Sequence, residues 1–78
     1  MTSETKVWLW CAFLMRVEAD SVAYAYPRKE GWADEYEALS LAGDAFYDRA
    51  VASAGGTLGD RDWQEAVEAF GTPGGSDA

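Results

Sequence analysis

The chain has 78 residues, with 14 Asp or Glu against 6 Lys or Arg, no His and one Cys, for a formal net charge of −8. That balance argues against direct nucleic-acid binding by phosphate neutralisation and against adsorption to an anionic membrane, and it favours a basic partner or plain solubility. Without His, the usual zinc sites and imidazole-based acid–base catalysis are excluded, and the lone Cys11 excludes an internal disulfide and fits a reduced, cytoplasmic setting.

A chain of this length makes one small domain and buries only about 60% of the surface it exposes when unfolded. Four Trp, four Tyr and three Phe partly offset that small core, since each ring system buries roughly 150–250 Å². The apolar run from Val7 to Met15 is about half of what a membrane span requires, and no small-residue cleavage site follows it.

Met1 to Thr5 reads as a short polar lead. From residue 6 onward the odd positions Val7, Leu9, Cys11, Phe13, Met15 and Val17 are all apolar, while the even positions pass from Trp8 and Trp10 to Arg16 and Glu18. Alternation of this kind indicates a strand with one buried and one mixed face. As a helix the same run is apolar all round, which a chain this short is hard pressed to cover, although its Leu, Ala and Met also suit a helix. Glu18–Ser21 reads as a turn. Val22, Tyr24 and Tyr26 alternate with smaller residues up to Pro27, giving a second antiparallel strand; the rival reading is a short helix capped by Ser21 and broken at Pro27.

The stretch from Glu30 to Ala54 carries the clearest periodicity. At about 100° per residue, Trp32, Tyr36, Leu39, Gly43, Phe46, Tyr47 and Ala50 share one sector, and Glu30, Asp34, Glu37, Asp44 and Asp48 share the opposite one, interrupted by Leu41. This predicts an amphipathic helix over about 31–54, stopped by Gly55-Gly56. A short helix over about 60–70 follows, with Asp60 as N-cap, Trp63, Ala66, Val67 and Phe70 on one face, and Gly71 as the terminal cap. The expected fold is therefore α+β: an N-terminal β-hairpin over about 6–27 and two helices, in one domain of residues 1–70 with a flexible tail over 71–78.

Candidate sites are few. The carboxylate ladder Glu30, Asp34, Glu37, Asp44 and Asp48 spaces successive charges about 5–6 Å apart along the axis, comparable to a nucleic-acid backbone. It is either a partner-binding face or an ordinary solvated one. Trp8 and Trp10, adjacent on the even face of a strand, are either a partner or self-association patch or part of the core. Asp60, Asp62 and Glu65 lack the ligand order of an EF-hand and read as helix N-terminal acids. Cys11 has no cationic neighbour, no Ser has a His to activate it, and the paired carboxylates lie on a convex surface, so neither a catalytic site nor a metal or cofactor is expected.

The expected function is non-enzymatic: a small acidic module that occludes a basic, nucleic-acid-binding surface of a partner protein. Phage-encoded inhibitors of host-defence and DNA-processing enzymes combine the same features, an analogy of class that includes DNA mimicry. The alternative is a structural homo-oligomer or homodimer, or a small subunit of a larger assembly, paired through the hairpin edge, with acidity serving solubility alone.

Overall fold

The computed structural model describes residues 1–71. They form three helices, α1 (Ser3–Tyr24), α2 (Trp32–Ala54) and α3 (Asp60–Phe70), and no strand occurs among them. The α+β expectation is overturned: the segment read as a hairpin over 6–27 is one helix of 22 residues, about 33 Å long. The residues read as a polar lead start it, since the Thr2 side chain accepts the Thr5 backbone N–H at 3.2 Å. The residues read as a turn continue it, and the Ser21 hydroxyl donates back to the Val17 carbonyl at 3.0 Å, so its local hydrogen bond is made inside the helix instead of in a turn. The expected tail lies outside the described residues, apart from Gly71.

The apolar run of α1 is tolerable in a helix because α1 is the centre of the fold. Both α2 and α3 pack against it. Thr5, Ala12 and Ala19 are buried on the sector that meets α2; Trp10, Phe13 and Val17 lie on the sector that meets α3; Leu9 sits between the two. Only the sector with Val7, Cys11 and Leu14 is left over, and Val7 is exposed. A two-stranded hairpin offers no such cover and is marginal in water.

The core joins all three helices and the connection between α2 and α3. Leu9, Ala50, Leu58 and Ala66 cluster, with Trp8, Trp10, Tyr47, Val51 and Trp63 packed around them. A hydroxyl bond at 2.8 Å ties Thr5 to Ser53 across α1 and α2. The turn out of α2 follows the Gly signal: Gly55 adopts φ 79° and its N–H reaches the Val51 carbonyl at 2.9 Å, the left-handed cap that a side chain disfavours. At the start of α3, Gly59 takes the N-cap position expected for Asp60, and its N–H is held by Asp62 at 2.9 Å. No helix among the described residues is long and apolar enough to cross a membrane.

Small residues let α1 and α2 approach. Gly43 is buried, and a Cβ placed on it would meet the Met15 Cβ at 3.4 Å and the Ala12 carbonyl oxygen at 3.6 Å, ordinary contact distances. Gly43→Ala therefore fits the gap and gains helix propensity, and it is expected to raise stability by up to about 1 kcal/mol. Gly43→Leu must force the helices apart and is expected to lower stability by about 1–3 kcal/mol. Urea denaturation of both variants checks the opposite signs.

Candidate functional site: an acidic face and the groove beside it

The long helix presents two faces, although Tyr36, expected on the inner one, is exposed. The Gly43 and Ala50 side is turned inward, while Asp34, Glu37, Asp44 and Asp48 are all exposed, with Leu41, 62% accessible, in the middle of their row. The carboxylates are three, seven and four residues apart, Leu41 taking the place between Glu37 and Asp44, and the row spans about 21 Å from Asp34 to Asp48. Glu30 does not belong to it. It lies in the turn before α2, separated from the helix by Gly31 at φ 81°.

What sets this row apart is the placement of the cations. Of the six basic residues, three arginines lie over rings: Arg16 at 4.9 Å from the centre of Trp63 and 5.8 Å from Tyr47, Arg28 at 4.4 Å from Trp32, and Arg49 at 4.9 Å from Trp8. Two lysines pair elsewhere, Lys6 with Glu65 at 3.9 Å and Lys29 with Glu35 at 2.6 Å. Among the described residues, Asp34, Glu37, Asp44 and Asp48 form no ion pair. The aromatic faces attract the guanidinium groups through their ring quadrupoles, and the helix is left with like charges that cost it a few tenths of a kcal/mol per i,i+3 or i,i+4 pair.

Trp8 and Trp10 do not form a patch. On a helix they point about 160° apart, Trp8 toward α2 and Trp10 toward α3. The Trp8 ring stacks on Phe46 at 5.9 Å, and its indole N–H points to Glu4 Oε2 at 3.4 Å. Trp10 packs on Phe70 at 5.2 Å, and its indole N–H donates to the Gly71 carbonyl at 2.9 Å. Both are half-buried intramolecular packing groups. The hairpin edge through which a second copy would pair is likewise absent from the described residues.

The fold brings together residues the sequence keeps apart. An open groove of about 670 Å³ runs between α1 and α3, with Phe13, Val17, Trp63 and Val67 as its apolar lining and Asp20 and Asp60 among its polar residues. Arg16 and Asp20 are shared with a second hollow that reaches Asp44 of the α2 row. Three carboxylates from three helices, Asp20, Asp44 and Asp60, thus line the hollows on either side of Arg16, yet none forms an ion pair with it. Asp20 falls in the segment expected as a turn and Asp60 at an expected cap; only the packing of α3 along α1 makes them neighbours of one groove. Asp62 and Glu65 are occupied by the Gly59 N–H and Lys6 respectively. Among the described residues no group of three or more His, Cys, Asp or Glu is placed to hold a metal ion. Comparison with protein-family models, with curated proteins and with solved structures finds no match to this chain.

Proposed function

We propose that this chain is a small non-enzymatic binding module whose α2 face docks on a basic surface of a partner protein, one that otherwise holds nucleic acid. The observation that carries this reading is the uncompensated row Asp34, Glu37, Asp44 and Asp48, which forms no ion pair among the described residues while five of the six basic residues engage rings or other carboxylates. Such a row steers a positively charged partner and fixes its register.

The charge density limits what is imitated. Duplex DNA carries one charge per about 1.7 Å of axis, whereas the three intervals between the four carboxylates over about 21 Å average roughly 7 Å. The row therefore competes for a line of basic side chains and does not reproduce a whole duplex. In affinity capture on the immobilised chain, the retained protein is expected to be basic and to leave on addition of duplex DNA or of moderate salt, because screening weakens exposed charge pairs. Retention that is indifferent to both DNA and salt would count against this reading.

A further inference from the structure

We infer that the groove between α1 and α3 is the apolar half of the same docking surface, and that it takes a short amphipathic helical segment of the partner carrying aliphatic side chains beside Lys or Arg. The inference rests on the acidic-face reading above and adds the chemistry of the bound element. Phe13, Val17, Trp63 and Val67 line the groove and are each only half-buried, so their apolar surface stays open to water. The volume of about 670 Å³ lies within the roughly 300–1,000 Å³ of ligand sites. Its open form between two helices suits a helix laid in a groove better than an enclosed small molecule.

Charge selects the occupant. Asp20 and Asp60 are exposed at the groove, and Asp44 continues the acidic line into α2 through the hollow that shares Arg16 and Asp20. Against these three carboxylates stands one cation, Arg16, whose guanidinium lies over Trp63 and Tyr47. A segment that buries aliphatic side chains on Val17 and Val67 and carries its ammonium or guanidinium groups toward Asp20 and Asp60 matches both features. An acidic amphipathic segment matches only the first.

The test uses the full chain, labelled with ¹⁵N, and an acetylated 14-residue Leu/Lys amphipathic peptide. Two further peptides replace every Leu by Ser or every Lys by Glu. The Leu/Lys peptide is expected to shift the Trp63 indole and the amides of Phe13, Val17 and Val67 together with those of the α2 row. The Ser peptide is expected to bind at least about ten-fold more weakly, and the Glu peptide not to bind. Asp20→Asn with Asp60→Asn is expected to weaken the Leu/Lys peptide about three-fold or more. Shifts confined to the α2 row, or equal binding of the Leu and Ser peptides, would overturn the groove while leaving the acidic-face reading standing. Shifts in neither place would overturn both. Concentration-dependent groove shifts without peptide, with a rise in mass, would instead assign the groove to a second copy and overturn the inference.

Discussion

Leu9→Ala is expected to lower the unfolding free energy by about 2–5 kcal/mol. Leu9 is completely buried, and beside it the fully buried apolar residues are alanines, Ala12, Ala50 and Ala66. It is thus the one large aliphatic side chain that touches the whole centre. Its cluster draws Ala50 from α2, Leu58 from the connection and Ala66 from α3, so truncation opens a void where all the elements meet, and the ringed periphery of Trp8, Trp10 and Trp63 cannot move in without giving up its own stacking. A 78-residue chain has a total stability of about 4–12 kcal/mol. The substitution therefore removes a large share of it, and a fall in melting temperature of at least about 8 °C is expected. Thermal unfolding followed by circular dichroism measures this; a change of less than about 1 kcal/mol would mean that α3 does not close over Leu9.

Neutralising the α2 row, with Asp34→Asn, Glu37→Gln, Asp44→Asn and Asp48→Asn, is expected to weaken capture of the basic partner by about 30-fold or more. Exposed charge pairs contribute about 0.2–1 kcal/mol each, and four at about 0.5 kcal/mol give this factor. Most of the loss belongs in the association rate, because long-range steering is what the row supplies. Folding should not suffer. All four side chains are exposed and form no ion pair among the described residues, and removing the Asp34–Glu37 and Asp44–Asp48 repulsions relieves the helix by a few tenths of a kcal/mol each. A variant that loses binding with an unchanged or slightly higher melting temperature separates recognition from stability.

How much of this was legible in the sequence depends on periodicity. In α2 the aromatic face and the carboxylate face are out of phase by half a turn, so a period near 3.6 is unmistakable and both the helix and its row can be read directly. In α1 the run from Val7 to Met15 is apolar at every position; alternation among aliphatic residues then carries no phase, and a strand and a buried helix look alike. The deciding information was tertiary, namely that two further helices exist to cover two sides of α1. One local signal in the sequence does favour the helix: Thr2, an N-cap residue type, stands three residues before Thr5 and accepts its N–H. Trp8 and Trp10 share a face only with a period of two, which the helical α1 does not have. The groove was beyond reach for the same reason, since Asp20 and Asp60, which line it, come from two helices brought side by side by packing alone.

The most direct test of the acidic-face reading compares two variants of equal charge. Removing four negative charges takes the net charge from −8 to −4, whether they come from Asp34, Glu37, Asp44 and Asp48 or, as Gln, from Glu4, Glu18, Glu65 and Glu68. Affinity for the captured basic partner should fall about 30-fold or more in the first and less than about three-fold in the second. Equal losses in both would show that net charge, and not the face of α2, governs binding.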